Sequence, residues 1–387
     1  MKKRKVLLIS ATNGIGGAGI AVTRIAKALE SQGVEVDIES LNYSSSKKSL
    51  LFRRILARAN REYEKFIQRN RIQSSNVIHS TDWLPFTPIR GINYSKYDVV
   101  HIHWVNYGVL GLNHLSKIPK TIPIVWTLHS FWPFSSPGHY FTAENPPQDV
   151  SLTFTNKKHG KALKRVNKWL LPSKGMLDQL PGLLNYSVIN NPLPNQESQA
   201  SRSTNSKDYL FIGAGDIFDD RKGLKDLLEL WISHESLFNG ERLNVIGPES
   251  PATWSNVLVE EAKKRGVLFL GEINSIREMQ TMLRLSKVVF VPSYQETFGQ
   301  VISEALGEGC LVIARDSILS LSEFEKFSSN IREIDFSSES FRSAISWVQK
   351  KKSNREELAQ DARMFFSMDR IALDLIAVYE QLETKFN

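Results

Sequence analysis

The sequence contains a single cysteine, Cys310, among its 387 residues. One cysteine excludes an intramolecular disulfide framework and a cysteine-rich metal site, and it is typical of a reducing compartment. No stretch approaches the roughly 20 apolar residues that a membrane-spanning helix needs. The opening MKKRKVLLIS turns apolar over too few residues for a signal peptide, so we predict a buried strand over 6–10. These absences favour a cytoplasmic protein, soluble or peripheral at the inner face of the plasma membrane.

Acidic residues are too few to balance the basic ones. The chain has 49 Lys and Arg against 41 Asp and Glu, a formal net charge of +8. Nearly the whole excess lies between Lys47 and Arg71, where nine basic residues accompany two acidic ones. At ~100° per residue, eight apolar residues of this segment share an arc of roughly 160°: Leu51, Phe52, Ile55, Leu56, Ala59, Tyr63, Phe66 and Ile67. We therefore predict a helix with one apolar face and a positively charged opposite face.

This basic helix has two interpretations. Its apolar face docks on the domain and its charges are solvated, or the helix meets anionic lipid headgroups, which attract clustered Lys and Arg. In the second case Arg53, Arg54 and Arg58 are the candidates for the acceptor or membrane side. No recognised nucleic-acid-binding motif accompanies the charge, so we expect no nucleic acid partner.

Short apolar runs alternate with helical patterns along the whole chain. KVLLIS, VEVDIES, YDVVHIHW and IPIVWTLH are typical of strands, and the pattern restarts at DYLFIGA after a polar linker that contains Pro192 and Pro194. Strands that alternate with helices favour parallel sheets covered on both faces. We predict an α/β fold with two doubly wound Rossmann-like domains facing a cleft, over 1–192 and 193–369. A closing helix over 370–387 is expected to pack back on the first domain.

A glycine-rich loop follows the first strand. Gly14-x-Gly16-x-x-Gly19 opens a helix, and Asp37 and Glu39 lie about 20 residues further on, as in a dinucleotide-binding fingerprint. However, the loop is longer than that fingerprint normally allows. Exposed backbone N–H groups and a helix N-terminus favour anions, so an anion- or acceptor-binding loop is the preferred interpretation, with a plain tight turn as the alternative.

Two glutamates stand eight residues apart in SYQETFGQVISEA. KVVFVPS is a strand that ends at Pro292, and Thr297-x-x-Gln300 is a capping-box pattern that predicts a helix from Thr297. Glu296 then lies just before the cap, and Glu304 projects from the first turns of the helix. Carboxylates accept hydrogen bonds from vicinal hydroxyl groups, and a helix N-terminus accepts a phosphate. The spacing therefore suits a nucleotide sugar, although an accident on a solvated helix remains the alternative.

Several histidines and tryptophans of the first half are further candidates. His101 and His103 alternate on one strand face and with His129 could form a zinc site, but buried histidines that make ordinary hydrogen bonds are more common. Trp126 is expected in the core. Trp132 follows His129 in a loop and is expected at the cleft.

PSYQETFGQVISEALGEG resembles the Glu-x7-Glu segment of retaining glycosyltransferases of the GT-B fold, family 4. GGAGIAVTRIAKAL, RKGLKDLLEL and the closing DLIAVYEQL resemble other segments of that family, in order and position. DVVHIHWVN, IPIVWTLHSFWPF and GHY resemble a subgroup that builds bacterial surface polysaccharides. The resemblance covers nearly the whole chain and is weakest over 42–89 and 141–170. It implies a hexosyltransferase-type enzyme that moves a sugar from a UDP- or GDP-sugar to a lipid-linked or oligosaccharide acceptor.

The resemblance also implies roles for individual residues. Glu304 binds the ribose hydroxyls, and Glu296 holds hydroxyls of the donor sugar. Lys222 neutralises the diphosphate with help from Arg221, because bond cleavage leaves negative charge on the departing diphosphate. Further donor-side residues follow from the same resemblance: Gly223, Gly247, Thr297, Phe298 and Gly299.

On the first domain, the resemblance assigns His129 to the donor sugar and Gly16 and Gly17 to the phosphate and acceptor side. It implies no cofactor and no metal, because cationic side chains neutralise the diphosphate. It further implies that the leaving phosphate takes the acceptor proton, so that no carboxylate pair of glycosidase type is required.

The sequence departs from the family at three places. The family often has an arginine a few residues before the lysine, where this chain has Ala214 and Gly215, and it usually has Asp where this chain has Ser130. CLV over 310–312 replaces the usual Thr-Pro-Val. These departures leave open a catalytically weakened nucleotide-sugar-binding protein. A second alternative is a GT-B-fold nucleotide-sugar 2-epimerase, which also has two such domains and a diphosphate site.

Overall fold

A computed structural model describes residues 3–45, 50–68, 80–136, 138–141, 146–150, 153, 159–197, 208–238, 240–249 and 256–386. The chain divides into two compact units. Unit 1 comprises Met1–Pro192 and Met368–Asn387, and unit 2 comprises Leu193–Ser367.

Each unit contains one parallel six-stranded sheet in the part of the chain that the structure describes. The strands of unit 1 are β1 Lys5–Ile9, β2 Glu35–Glu39, β3 Val99–Ile102, β4 Ile124–Thr127, β5 Lys168–Leu171 and β6 Tyr186–Val188, in the order β2-β1-β3-β4-β5-β6. Those of unit 2 are β7 Asp208–Ile212, β8 Leu243–Ile246, β9 Val267–Phe269, β10 Ser286–Val291, β11 Leu311–Arg315 and β12 Ile331–Ile334, in the order β12-β11-β10-β7-β8-β9.

Helices connect the strands of both sheets. In chain order they are α1 Gly16–Ser31, α2 Leu50–Gln68, α3 His159–Leu163, α4 Leu224–Ser233, α5 Asn256–Lys264, α6 Ile276–Leu285, α7 Gln300–Gly307, α8 Ser338–Lys350, α9 Arg355–Phe365 and α10 Met368–Phe386. Short 3-10 helices cover Tyr94–Lys96, Leu112–Lys117, Lys174–Gln179, Asp220–Lys222, Glu235–Leu237 and Leu319–Asn330.

The inner strands are mostly apolar because both faces of each sheet are covered. Every residue of β3, β4, β8 and β11 is buried. The sheet of unit 2 separates two apolar clusters, one around Tyr209 and Trp231 and one around Phe298 and Phe366. The parallel sheets and their helical connections confirm the predicted doubly wound α/β architecture of both domains.

The closing helix α10 belongs to unit 1, although residues 193–367 separate it from the rest of that unit in sequence. It buries Ile371, Leu375 and Tyr379 in one cluster with Val22 and Ile25 of α1. Burial of these large apolar side chains holds the helix in place, because each fully buried side chain of this kind contributes about 1.5–3 kcal/mol.

Strand order reverses once in each sheet. In unit 1 the chain leaves β1 and β3 in opposite directions, and in unit 2 it leaves β7 and β10 in opposite directions. The loops after such a pair of neighbouring strands diverge and leave a crevice at the carboxyl edge of the sheet, where open α/β folds bind ligands. Each unit therefore has one such crevice of its own.

The predicted basic helix is confirmed as α2, but its orientation differs from the docked interpretation. The apolar residues point outwards, and Arg53, Ala57, Asn60 and Glu64 form the buried face. The ends of the basic segment, at 47–49 and 69–71, lie outside the described residues. Among the described residues, no helix combines the length and the apolar composition that crossing a membrane requires.

The assignment of Arg53 to an acceptor or membrane surface was wrong. The residue is only 2% exposed, and its guanidinium group pairs with the carboxylate of Glu39 and donates to the carbonyl of Ser40. Arg54 and Arg58 are exposed, as that assignment requires. Arg53 differs from them because it lies on the buried face of α2, next to Glu39 at the end of β2.

Candidate functional site

Two loops of unit 2 meet at the crevice between β7 and β10. Residues 213–223 follow β7, and residues 292–299 follow β10. The backbone N–H of Tyr294 donates to the carbonyl of Arg221 at 2.8 Å, and the guanidinium of Arg221 donates to the carbonyl of Gln295 at 3.2 Å. These cross-connections fix one loop against the other.

The two loops place opposite charges together. Lys222 Nζ lies 2.7 Å from Glu296 Oε1, and both side chains are mostly buried, at 13% and 19% exposure. Arg221 adds a second cation beside this pair and also contacts Asp219 at 3.1 Å. Sequence analysis predicted Arg221, Lys222 and Glu296 as site residues, and the structure brings all three into one cluster.

The charge state of Glu296 follows from this cluster. Burial alone would raise the pKa of Glu296, but the positive charges of Lys222 and Arg221, with hydrogen bonds from Lys222 and Ser293, hold its pKa below the ordinary value. Glu296 is therefore a carboxylate at neutral pH and can accept hydrogen bonds from hydroxyl groups.

Glycines make the close approach of these loops possible. Gly223 has φ 69°, and a Cβ there would lie 2.2 Å from the carbonyl oxygen of Pro292. Gly247 has φ 146°, and a Cβ there would likewise clash, at 2.3 Å from the carbonyl oxygen of Gly213. Both glycines were predicted on the donor side, and both shape the carboxyl edge of the sheet.

The helix after Glu296 begins later than predicted. α7 starts at Gln300 with Gly299 as its N-cap at φ 72°, and no side chain caps it, so the predicted capping box at Thr297 was wrong. The left-handed backbone at Gly299 breaks the helical path between Thr297 and Gln300. Glu304 lies one turn into α7 and is half-buried.

Two other predicted donor-side residues are largely buried. Thr297 is buried, and the ring of Phe298 packs against Phe324 and Phe366 in the core. The Phe298 ring therefore anchors the loop in the core, and only the backbone of this residue is placed to contact a ligand.

Arg315 supports the same loop and was missed by sequence analysis. From the end of β11, its Nε donates to the carbonyl of Pro292 at 2.8 Å, its guanidinium pairs with Asp226, and it stacks on the ring of Tyr294. A lone arginine at the end of an otherwise apolar strand, CLVIARD, is the signal that could have identified it. It ties the loop that carries Glu296 to the sheet.

Three histidines cluster at the carboxyl ends of β3 and β4 in unit 1. His103 Nδ1 lies 3.1 Å from His129 Nε2, and the two rings stack with centroids 5.3 Å apart. The rings of His101 and His103 have centroids 4.1 Å apart. Burial lowers the pKa of His129 to about 4 and that of His101 to about 3, and it holds the pKa of His103 well below the ordinary value. All three imidazoles are therefore neutral at neutral pH.

The hydrogen bonds of this cluster determine what it can bind. His101 uses both ring nitrogens, one with the hydroxyl of Tyr379 and one with that of Thr127, each at 2.7 Å. His103 Nε2 is buried and has no hydrogen-bond partner among the residues that the structure describes. Within those residues, no group of three or more His, Cys, Asp or Glu side chains is arranged to hold a metal ion.

The glycine loop of unit 1 lies at the same edge of the sheet as the histidines. Ala11 N–H donates to the carbonyl of Trp104, just beyond β3, and α1 begins at Gly16, so Gly16 and Gly17 form its first turn. Ser130, at the position where the resembling family has Asp, is buried. Trp132, predicted at a cleft, is only 3% exposed and donates from its indole N–H to the carbonyl of Ser80, so that prediction was wrong.

Comparisons with known proteins extend these observations. Residues 15–193 match the family described as Glycosyltransferase Family 4, and residues 194–365 match the family described as Glycosyl transferases group 1. The chain is a glycosyltransferase, with a family 4 amino-terminal region and a group 1 carboxyl-terminal region. No curated protein matches this glycosyltransferase in sequence.

Solved structures similar to this glycosyltransferase share its GT-B fold. Sucrose-phosphate synthase from Thermosynechococcus elongatus is 15% identical, with a TM-score of 0.63 over 99% of this chain and 100% of that one. Anabaena Alr3699/HepE, in complex with UDP and glucose, is 16% identical, with a TM-score of 0.59 over 98% and 100%. The lipopolysaccharide outer core galactosyltransferase WaaB is 15% identical, with a TM-score of 0.58 over 98% and 99%.

Proposed function

We propose that this glycosyltransferase moves a hexose-type sugar from a nucleotide-diphosphate donor to a lipid-linked or oligosaccharide acceptor, with retention of configuration at the sugar carbon. The observation that carries this proposal is the Lys222–Glu296 pair, because it lies where strand order reverses in unit 2 and joins the loops after two neighbouring strands. A cation suits a diphosphate, and an ionised carboxylate beside it suits sugar hydroxyls.

Each charged group of unit 2 has a separate task in this proposal. Lys222, assisted by Arg221, neutralises the diphosphate as negative charge develops on it. Glu296 accepts hydrogen bonds from hydroxyls of the donor sugar. Glu304, one turn into α7, does the same for the ribose. The ion pair seen between Lys222 and Glu296 keeps both charges in position before a donor arrives.

Unit 1 contributes neutral groups in this proposal. His129 binds a hydroxyl of the donor sugar as an uncharged imidazole, because burial keeps its pKa at about 4. His103, 3.1 Å away, orients the His129 ring. Gly16 and Gly17, in the first turn of α1, present backbone to the phosphate and acceptor side.

The proposed chemistry needs no further reagent. The bond between the sugar carbon and the diphosphate oxygen breaks, and a bond to the acceptor oxygen forms on the same face of the sugar. The acceptor proton passes to the departing diphosphate, so the site needs no second carboxylate of glycosidase type. Cationic side chains neutralise the diphosphate, and the proposal includes no metal or cofactor.

The proposed setting is polysaccharide or glycolipid synthesis at the inner face of the plasma membrane. The excess of basic residues supports an acceptor on an anionic surface. The similar fold of a lipopolysaccharide galactosyltransferase and of a protein bound to UDP and glucose agrees with this proposal.

A donor screen tests the proposal. The purified protein is incubated with UDP-, GDP- and ADP-sugars, and the released nucleotide is detected by mass spectrometry. We expect slow hydrolysis of one nucleotide sugar. Lys222→Gln should lower this rate by about 10²–10³-fold, the size seen when a group that stabilises developing negative charge is removed. Glu296→Gln should also lower it, because the carboxylate that holds the sugar hydroxyls is lost.

Lys287→Gln is the matched control. Lys287 pairs with Glu241 at 2.6 Å, with exposures of 20% and 16%. The substitution therefore breaks an ion pair of similar burial that lies away from the crevice. We expect donor hydrolysis by this variant to stay within a few-fold of the unmodified protein. If Lys287→Gln lost as much donor hydrolysis as Lys222→Gln, the effect of Lys222→Gln would be structural and not specific to the site. Thermal stabilisation by NAD but by no nucleotide sugar would contradict the proposal.

A further inference from the structure

Helix α2 presents its apolar residues to solvent. Leu51 is 70% exposed, Ile55 54% and Phe66 74%, whereas Arg53 and Glu64, on the opposite side of the same helix, are 2% and 5% exposed. Large apolar residues on an amphipathic helix normally face the core. The reverse orientation leaves an apolar stripe on the surface, with Glu62 as a charged residue within its arc. We call the apolar residues of this stripe the outer face of α2: Leu51, Phe52, Ile55, Tyr63, Phe66 and Ile67.

Specific polar contacts hold α2 in this orientation. Asn60 Nδ2 donates to the carbonyls of Gly108 at 2.6 Å and Phe86 at 3.0 Å, and its Oδ1 accepts from the N–H of Phe86. Glu64 accepts from the N–H of Thr81 at 2.8 Å. These contacts satisfy buried polar groups on both sides, so rotating the helix would leave several of them unpaired. The outer face is therefore a fixed feature of unit 1.

Cations border the outer face along one side. Viewed down the helix at ~100° per residue, Arg54, Arg58, Arg61 and Lys65 lie within an arc of roughly 60° between the apolar stripe and the buried face. All four are exposed. Glu62, the one acidic residue on the exposed part of α2, pairs with Lys65 at 2.9 Å. The backbone carbonyl of Phe86 accepts a hydrogen bond from Asn60 of α2, and the side chain of Phe86 is another exposed apolar group beside the helix.

We propose that the outer face of α2 inserts into the interface of an anionic lipid bilayer, with the four cations at the level of the headgroups. Exposed aromatic and aliphatic side chains beside a row of cations match the pattern of helices that lie in a membrane surface. The positive border gives the charge complementarity that an anionic lipid surface requires and that a second copy of the same face does not provide. The inference deepens the proposed function and rests on it only for the acceptor.

Vesicle flotation tests this contact without any donor or acceptor. The full chain is mixed with vesicles of phosphatidylcholine alone, or with an added fraction of phosphatidylglycerol. We expect binding to the anionic vesicles and its loss in Leu51→Gln/Phe66→Gln. Arg58→Gln/Arg61→Gln should lower the partition coefficient by roughly 30-fold, because each cation near an anionic surface contributes about a factor of five.

The matched controls remove similarly exposed apolar and basic side chains that lie outside α2. Leu184→Gln/Val257→Gln removes apolar side chains that are 74% and 78% exposed. Arg277→Gln/Arg342→Gln removes two exposed cations from unit 2. Both controls should bind anionic vesicles as the unmodified protein does. Equal losses in the controls and the α2 variants would overturn the proposal, because general hydrophobicity or net charge would then explain the binding.

A fluorescent label reports insertion directly. Cys310 is buried, so a thiol-reactive, polarity-sensitive dye attaches at an introduced Phe66→Cys, with Leu184→Cys as the control. A blue shift with anionic vesicles at position 66 alone is expected. No shift at position 66, or a dimer in lipid-free solution that Leu51→Gln/Phe66→Gln dissociates, would overturn the proposal. Donor hydrolysis is measured on the same preparation, so failure of the transferase proposal is seen separately.

Discussion

Two helices of unit 1 have the same length and bury opposite faces. α2 and α10 each span 19 residues, and both have an apolar and a polar side. α10 buries Leu375 and Tyr379 against the sheet and α1, whereas α2 buries Arg53, Asn60 and Glu64 and exposes its apolar residues. Hydrophobic periodicity therefore predicts a helix correctly in both places but predicts the docked face in only one.

The difference lies in what each helix meets. α10 packs on apolar side chains of α1 and the sheet, so burial of apolar area holds it. α2 meets backbone carbonyls, N–H groups and the carboxylate of Glu39, which need polar partners when they are buried. Where a surface presents unsatisfied polar groups, a helix docks through its polar side, and its apolar side is left for another partner.

The largest expected effect concerns the buried pair under α2. Arg53→Ala leaves Glu39 buried without its cation, which should lower the free energy of unfolding by about 3–5 kcal/mol. Arg54→Ala, on the exposed side, should change it by less than about 0.5 kcal/mol. Chemical denaturation of both variants measures the difference. Similar small losses would mean that α2 is not docked through Arg53.

The apolar residues of the two helices give the next largest contrast. Leu375→Ala in α10 should cost about 2–5 kcal/mol, because it leaves a cavity in a packed cluster. Leu51→Ala in α2 should cost less than about 0.5 kcal/mol, since Leu51 is already exposed. Denaturant titration in lipid-free buffer compares the two variants. A large loss in Leu51→Ala would place that side chain in the core and contradict the orientation of α2.

Acidification should act on the two helices in opposite directions. Under α10, burial lowers the pKa of His101 to about 3, so its stabilising contribution is complete above pH 6.5 and is lost as the pH falls towards 3. Under α2, burial raises the pKa of Glu64 to about 7, so the cost of its charge is complete above pH 7 and disappears as the pH falls towards 4.5. Between its pKa values in the unfolded and folded protein, each group changes the free energy of unfolding by about 1.4 kcal/mol per pH unit.

Two variants separate these contributions. Glu64→Gln should be more stable than the unmodified protein at pH 8, by about 3 kcal/mol at most, and equal to it near pH 4.5. His101→Asn should lose less stability than the unmodified protein between pH 6.5 and 4.5, because one neutral histidine is removed. Denaturation across this pH range measures both. Parallel curves for all three proteins would show that neither group titrates as described.

The sequence predicts the architecture of this chain well. Strands such as KVVFVPS have a continuous apolar run, Val288–Val291, because both faces of the sheet are covered, and the sequence alone shows this pattern. Glu296 was also predicted, from its place in the loop after the strand KVVFVPS, and Lys222 was predicted from the resemblance of RKGLKDLLEL to the start of a helix in the resembling family. The later start of α7 was not predicted, because the left-handed backbone of Gly299 is set by the loop and not by the capping pattern.

Other features depend on contacts that are distant in sequence. Arg315 supports the Glu296 loop from another strand, and Trp132 reaches the carbonyl of Ser80. The burial of Arg53 depends on Glu39, which ends β2. No periodicity within α2 indicates that a polar surface lies beneath it. These contacts are set by the tertiary structure and could not be derived from local patterns.

A crystal structure with a bound nucleoside diphosphate would show whether Lys222 and Glu304 hold the donor. We expect diphosphate oxygens within hydrogen-bond distance of Lys222 Nζ, with the ribose hydroxyls at the carboxylate of Glu304. A diphosphate bound at the Gly14–Gly19 loop in the manner of a dinucleotide, with Lys222 still paired only to Glu296, would contradict this expectation.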